Sequence, residues 1–143
     1  MDDPSIVTLI GSIMLLIIVS AYFSGSETAM MALNRYRLKH LSKEGHGGAR
    51  RAGKLLERPD RLLGVILIGN NLANFTASSL ATVLALNLLG DQGVVWAPVI
   101  CTIVFLVFAE VAPKTIAAVY PEKVALPSSY LLQVLLWIAY PFV

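Results

Sequence analysis

The most informative stretch of this sequence is Phe108-Ala109-Glu110-Val111-Ala112-Pro113-Lys114-Thr115, and Glu110 is its most informative residue. It closes an uncharged run that begins at Gln92, and Glu110 is the first charge after that run. A carboxylate in an apolar membrane segment costs about 2.5–3.5 kcal/mol on insertion scales, so it usually marks an ion path, a proton relay or a buried pair. Pro113 lacks an N–H, and in an α-helix its ring crowds the carbonyl of Ala109. The stretch therefore predicts a cation site inside a membrane helix.

The composition is typical of a membrane protein. The 143 residues are 57% hydrophobic and 14% charged, with a mean hydropathy of +0.73, which is outside the usual range of soluble domains. This length allows one domain of three or four helices packed in lipid. Cys101 is the single cysteine, so no disulfide framework is possible, and we interpret it as a packing residue. Because neither a nucleophile–base pair nor a glycine-rich phosphate loop is evident, we expect no enzymatic activity.

Three hydrophobic runs are long enough to cross a bilayer, and they predict spans at about residues 5–27, 62–89 and 93–116. The acidic start, Asp2 and Asp3, is unlike a cleavable signal peptide. The middle of the second run, residues 68–79, reads IGNNLANFTASS and is too polar for lipid contact. We therefore expect a broken or kinked helix there, with its polar groups facing protein or water.

A last apolar stretch follows a predicted helix break at Tyr120-Pro121. Pro127 and Pro141 bracket a segment that is short for a crossing, so we expect an interfacial or re-entrant helix within about residues 123–143. Three of its side chains suit the headgroup level, namely Gln133, Trp137 and Tyr140. The alternative is a fourth full span.

Nine of the eleven Lys and Arg residues fall between Arg35 and Arg61. The positive-inside rule predicts that this loop and the carboxyl end lie in the cytoplasm, with the amino terminus outside. The loop pattern favours juxtamembrane helices within about residues 35–58, specifically residues 35–43 and 49–58, with basic side chains near anionic lipid headgroups. Nucleic-acid binding is the alternative, but the loop lacks aromatic residues beyond Tyr36.

Two polar patches at membrane depth share one spacing. Ser20 and Ser24 are four residues apart and lie on one helix face, as do Asn70 and Asn74. The simpler explanation for each pair is helix packing, through small residues or interhelical hydrogen bonds. Gly69, directly before Asn70, offers another possibility, because an opened backbone there would expose a carbonyl to an ion.

Glu110 supplies the third patch and the only formal negative charge of the set. Its alternative role is an intrahelical pair with Lys114, which also suits a site whose lysine holds the carboxylate when no ion is bound. The predicted metal ligands are Ser20, Ser24, Gly69, Asn70, Asn74 and Glu110, with Pro113 and Lys114 in supporting roles. Such oxygen ligands suit Mg²⁺ or Na⁺ and are poor for zinc or copper.

Three motifs carry a family resemblance: SAYFSGSETA over residues 20–29, GNN over residues 69–71 and EVAPKT over residues 110–115. In order and approximate spacing they resemble the transmembrane domain of the cyclin M (CNNM)/CorB/CorC family of magnesium transporters, over nearly the whole chain. The resemblance implies a homodimer, three transmembrane helices per subunit, a cytoplasmic juxtamembrane belt and sodium-driven magnesium export. It also implies a cytoplasmic pair of nucleotide-binding CBS modules in the full-length protein, beyond this chain. Ala109 stands where we expect glycine in many relatives.

These observations predict an all-α integral membrane domain over residues 1–143, with three transmembrane helices and cytoplasmic juxtamembrane amphipathic helices. We expect it in the plasma membrane of a bacterium or archaeon, in contact with lipid and not with nucleic acid. Mg²⁺ is the expected transported ion, and Na⁺ is the expected coupling ion. Two alternatives stay open. One is an uncoupled cation channel or sensor, and the other is a membrane assembly subunit whose polar patches only join helices.

Overall fold

The computed structural model describes residues 3–139, and within that range every regular element is a helix. The all-α prediction is therefore confirmed for these residues. In chain order the helices are α1 (Asp3–Ala32), α2 (Arg35–Lys43), α3 (Gly47–Leu56), α4 (Pro59–Leu89), a 3₁₀ turn (Gly90–Gln92), α5 (Gly93–Phe105), a π-helical turn (Leu106–Val111), α6 (Ala112–Val119) and α7 (Pro121–Ala139).

Within residues 3–139, two helical stretches are long and apolar enough to cross a membrane, Ile6–Ala32 and Pro59–Val119. The second folds back on itself, because α5 packs against α4. Gly90 makes this reversal with φ of +66°, a conformation that glycine adopts without a steric penalty. Gly93 then approaches α4 so closely that an added Cβ would lie 2.5 Å from the carbonyl group of Ala85. The second stretch is thus a helical hairpin.

A broken or kinked helix is predicted within residues 68–79, and the break is wrong because α4 is continuous from Pro59 to Leu89, while the kink stays a prediction. Three polar residues of this stretch, and Thr82 just beyond it, find partners while the helix continues. Ser79 and Thr82 each donate a hydrogen bond of 3.0 Å to a backbone carbonyl one turn back. Asn70 and Asn74 bond across to α1. Because these side chains have hydrogen-bond partners, the backbone of α4 keeps its helical hydrogen bonds.

Helix α7 starts at the predicted break and continues through Pro127, where the sequence predicts that the last apolar segment begins. Tyr120 leaves helical geometry, with φ of −124° and ψ of 60°, and Pro121 begins α7, so the predicted break is confirmed. Pro127, however, lies inside α7. It is tolerated because the carbonyl it leaves without a donor is that of Lys123, which is exposed. Tyr140 and Pro141 lie outside the described residues.

Helices α2 and α3 form a compact pair, with α3 offset from its predicted bounds. The predicted helix over residues 35–43 matches α2, which Asn34 caps by accepting hydrogen bonds from two backbone N–H groups at 2.9 and 3.2 Å. Helix α3 begins two residues before the predicted residue 49, because His46 Nδ1 caps it at 3.1 Å. It ends at Leu56, since Pro59 disfavours helical geometry at Arg58.

The buried core lies at one end of the molecule, which we call the belt end. Here α2, α3 and the start of α7 surround the end of α1 and the start of α4. The most buried large apolar side chains there are Met30, Leu62, Ile66 and Leu132. The opposite end, around the 3₁₀ turn, is the far end, and many of its large apolar side chains are exposed. This pattern is that of helices whose far halves face lipid.

Candidate cation site

The first half of the site joins α1 to α4. Ser20 is fully buried, and its Oγ lies 2.7 Å from Asn70 Oδ1 and 2.6 Å from Asn74 Oδ1. The two asparagines are one turn apart on α4, so both face the same serine. A hydroxyl has one proton and donates to one of them at a time. The second contact therefore needs either a rotated amide or a cation among the three oxygens.

The second half of the site joins α1 to the π-helical turn. Ser24 is fully buried, one turn along α1 from Ser20, and its Oγ donates a hydrogen bond of 3.3 Å to Glu110 Oε2. Lys114 Nζ lies 3.3 Å from the same carboxylate oxygen. The predicted i, i+4 pair thus exists together with the contact to α1. Because the Lys114 side chain is 46% exposed, its ammonium has room to leave the carboxylate.

The helix that carries Glu110 changes its hydrogen-bond spacing at this point. Residues Leu106–Val111 form a π-helical turn, and the N–H of Ala112 donates to a carbonyl five residues back. Such turns are rare and occur frequently at functional sites. Pro113 follows directly after this turn and has no N–H to donate to it, and the freed carbonyl beside Glu110 stays a prediction.

Gly69 has a packing role that the sequence did not indicate. A Cβ added to Gly69 would lie 2.6 Å from the ring of Phe23, so only glycine lets this buried ring lie across α4. Since α4 is helical through this position, the Gly69 carbonyl belongs to the helix ladder. Its role as a ligand stays a prediction, one that uses the second lone pair of a carbonyl. A Cβ at Gly25, beside the site, would meet Pro113 at 3.6 Å.

Five of the six predicted ligand residues therefore lie in two adjacent groups, Ser20 with Asn70 and Asn74, and Ser24 with Glu110. The two serines are separated by about 6 Å of helix rise. Within residues 3–139 there is no cluster of three or more His, Cys, Asp and Glu side chains arranged to hold a metal. The site is therefore rich in neutral oxygens and has a single carboxylate, which suits a hard cation.

Sequence reasoning missed two residues beside this site. Phe23 sits between the two serines in sequence and sets the approach of α1 to α4, and its aromatic ring among small residues was the available signal. Ser26 is fully buried, and among the described residues its hydroxyl has no hydrogen-bond partner. Ser26 belongs to the same SAYFSGSETA motif, but its position is off the Ser20–Ser24 face.

Comparison with known proteins identifies the family of this chain. Residues 11–143 match the family model of the cyclin M transmembrane N-terminal domain. The chain is 59% identical over 125 residues to the UPF0053 inner membrane protein YfjD of Escherichia coli (strain K12), covering 87% of this chain and 29% of that protein. It is 51% identical over 143 residues to a UPF0053 protein of Haemophilus influenzae, covering 100% of this chain and 34% of that protein.

A more distant relative has a name that states a function. The chain is 31% identical over 135 residues to the polyamine export protein of Salmonella typhimurium, covering 78% of this chain and 28% of that protein. The chain thus spans about a third of the length of the curated relatives it matches first. Since the family model covers nearly the whole sequence and bacterial relatives share more than half of its residues, this chain belongs to the cyclin M transmembrane N-terminal domain family.

Proposed function

We propose that this domain transports Mg²⁺ across the bacterial inner membrane through the site between α1, α4 and the π-helical turn. The observation that carries the proposal is the convergence of buried hydroxyl and amide oxygens with one carboxylate. Mg²⁺ prefers oxygen ligands and usually keeps some of its water, so a small set of neutral oxygens plus one charge suits it. Weak, low-charge ligation also lets the ion leave, which transport requires.

The proposal includes three membrane crossings, by α1, by α4 and by α5 with α6. Its support is the path of the chain. The end of α1 and the start of α4 lie at the belt end, and the reversal at Gly90 lies at the far end. A salt bridge between Arg37 and Glu122 links α2 to the start of α7, so the chain has returned to the belt end after α6. The basic belt would then face the cytoplasm.

Lys114 gives the proposed site a way to exchange ions. In the absence of a bound ion its ammonium neutralises Glu110. An arriving Mg²⁺ would displace that ammonium and take the carboxylate, together with the oxygens of Ser24 and of the Ser20 group. Na⁺ also prefers oxygen ligands, so coupled exchange would use overlapping ligands on the same helices. The homodimer and the cytoplasmic CBS pair implied by the family resemblance are part of this proposal.

Polyamine export is the second candidate, because relatives of this chain carry that name. A polyamine has several ammonium groups separated by methylenes, so its site needs more than one anion. Glu27 is a second carboxylate on α1, three residues beyond Ser24 and only partly exposed. A polyamine bound between Glu27 and Glu110 would place one ammonium group beside Glu110, where the Lys114 ammonium lies, and another beside Glu27.

Transport by the full-length protein in liposomes tests both candidates. Magnesium entry is followed with a fluorescent dye, with and without a sodium gradient, and spermidine entry is followed with a radiolabel. Sodium-dependent magnesium flux supports the exchanger, whereas flux that ignores sodium supports a channel. Spermidine flux without magnesium flux would replace Mg²⁺ by a polyamine as the substrate. If neither crosses, the domain is an assembly module and the transport proposal fails.

A further inference from the structure

A groove between α2 and α3, separate from the cation site, is lined by positive charge. Its volume is about 590 Å³. Helix α2 contributes Arg35, Lys39 and Lys43, which follow one another at intervals of four residues and so share a face. Helix α3 contributes Arg50 and Lys54 from the opposite wall. Glu57 is the one acidic residue among the lining side chains.

The cations of this groove form no ion pair with a carboxylate within the described part of the chain. The ion pairs found in residues 3–139 use other cations, including Arg37 with Glu122 and Arg58 with Asp60. Like charges spaced i, i+4 destabilise a helix, yet α2 carries three of them in a row. Arg50 is held across the groove by a hydrogen bond of 3.4 Å from its Nε to the Ser42 carbonyl. The arrangement is complementary to a polyvalent anion.

The position of the groove indicates where that anion comes from. Its floor includes Leu38 and Leu56, which belong to the same buried core as Leu33 at the end of α1 and Leu62 at the start of α4. The groove therefore adjoins the end of α1 and the start of α4, which the proposed topology places at the membrane surface. Tyr36, beside the groove, is 89% exposed, and aromatic side chains of this kind are enriched at the headgroup level.

We infer that the groove between α2 and α3 binds the phosphate headgroup of an anionic phospholipid. Lysine and arginine side chains from both walls donate charge-assisted hydrogen bonds to its oxygens, and the apolar floor meets the glycerol and the first methylenes. A bound headgroup would bridge α2 and α3 and so fix the belt against the membrane. This inference is independent of which cation the domain carries.

The test measures lipid retention by the full-length protein in detergent, using native mass spectrometry. The protein is incubated with equal amounts of phosphatidylglycerol and phosphatidylcholine, and the retained lipids are counted. Wild type should retain phosphatidylglycerol preferentially. The double variant K39Q/K54Q should lose that preference by at least about tenfold, since each cation near a lipid surface contributes roughly 1 kcal/mol. The matched control R58Q/K123Q removes the same charge outside the groove and should keep the preference.

The inference is overturned by no preference in wild type, by an equal loss in both double variants, or by displacement of the lipid by inorganic phosphate or a short oligonucleotide at equal concentration. Displacement would identify a soluble phosphate ligand instead. The charge-preserving variant K39R/K54R guards against a folding artefact. It should retain phosphatidylglycerol as wild type does, and loss in this variant would also contradict headgroup binding by charge. In wild type, raising salt should weaken retention, because added ions screen the groove.

Discussion

Helices α1 and α4 pack together in two different ways along their length. Toward the belt end, Ser20 Oγ lies within hydrogen-bond distance of Asn70 and Asn74 in a buried contact. Toward the far end the contact is apolar and incomplete, with a cavity of about 350 Å³ between α1, α4 and α5. Its lining includes Ile13, Ile17, Ala81, Ala85, Ala97 and Cys101.

The difference shows which contacts fix the register and the spacing of α1 and α4. In lipid, apolar helix faces gain little by meeting one another, because lipid tails are equally apolar. Register and spacing must therefore come from close packing of small residues and from polar contacts. In the contact between α1 and α4, both occur in the half with Ser20, Gly69 and Phe23, and neither is pronounced on the α1 side of the cavity. Substitutions in this contact should consequently have large effects near the candidate cation site and small effects beside the cavity.

The largest effect is expected from Glu110→Gln. The substitution keeps the shape of the side chain but removes the only formal negative charge among the proposed ligands. We expect Mg²⁺ affinity, measured by calorimetric titration of the purified full-length protein, to fall by about tenfold to a hundredfold, or roughly 1.4–2.8 kcal/mol. Thermal stability should change much less, because Lys114 is half exposed and can be solvated without its partner.

Glu27→Gln is the matched control for this prediction, since it removes a carboxylate from α1 outside the hydrogen-bonded groups. It should leave magnesium affinity nearly unchanged. If Glu110→Gln binds Mg²⁺ as wild type does, the carboxylate is not a ligand. If instead the variant fails to assemble, the pair of Glu110 with Lys114 is structural, and the contrast between the two halves would be one of stability alone.

The next largest effect is expected on stability from Gly69→Ala. The added methyl would lie 2.6 Å from the Phe23 ring, so the ring or α4 must shift. Overpacking of this kind costs about 1–3 kcal/mol. Thermal unfolding in detergent measures the loss. Gly11→Ala is the far-half comparison, because nothing lies within 4 Å of an added Cβ there. It should be neutral or slightly stabilising, and equal losses at both positions would remove the distinction.

A smaller effect is expected from the hydrogen bonds themselves. Ser20→Ala and Asn74→Ala each remove one side of a contact of 2.6 Å. Interhelical hydrogen bonds in membranes contribute about 0.6 kcal/mol on average, so the double variant should be more stable than additivity predicts by roughly this amount. Unfolding of the four proteins of the cycle measures the coupling. Ser20→Ala combined with Thr82→Ala, which bonds within its own helix, should be additive.

The smallest effect is expected from filling the far cavity. Ala81 lines the space of about 350 Å³, and Ala81→Val adds two methyl groups to it. We expect stability to change by less than about 1 kcal/mol, because the cavity has room for the added volume. Magnesium affinity should not change. A large loss of magnesium affinity in this variant would show that the cavity half and the cation-site half are coupled.

The polar residues that meet at the candidate site could be singled out from the sequence because their chemistry is unusual for their surroundings. Ser20, Asn70 and Glu110 are polar groups in apolar runs, and a spacing of four residues places pairs of them on one helix face. What could not be predicted is which partner satisfies each group. The break expected in α4 was wrong for that reason, since Asn70 and Asn74 bond to α1 and leave the backbone intact.

Two further features depended on information that one sequence does not contain. The closeness of Phe23 to Gly69 arises from the crossing of two helices, and a glycine in a helix has many possible reasons. The π-helical turn depends on how many residues the chain fits between fixed contacts on either side, which periodicity alone does not show. The motif EVAPKT identified Glu110 as a candidate ligand but did not predict the π-helical hydrogen-bond spacing of the backbone around it.

The π-helical turn also acts as a phase offset along one continuous rod. Each residue of an α-helix advances the side-chain direction by about 100°, so a turn that takes in an extra residue rotates everything after it relative to everything before it. Before the offset, α5 faces α4; after it, α6 faces α1. One continuous helical rod can thus pack against two neighbouring helices that lie in different directions. Glu110 lies within the changeover, so any twist of one half of the rod against the other reaches the carboxylate directly.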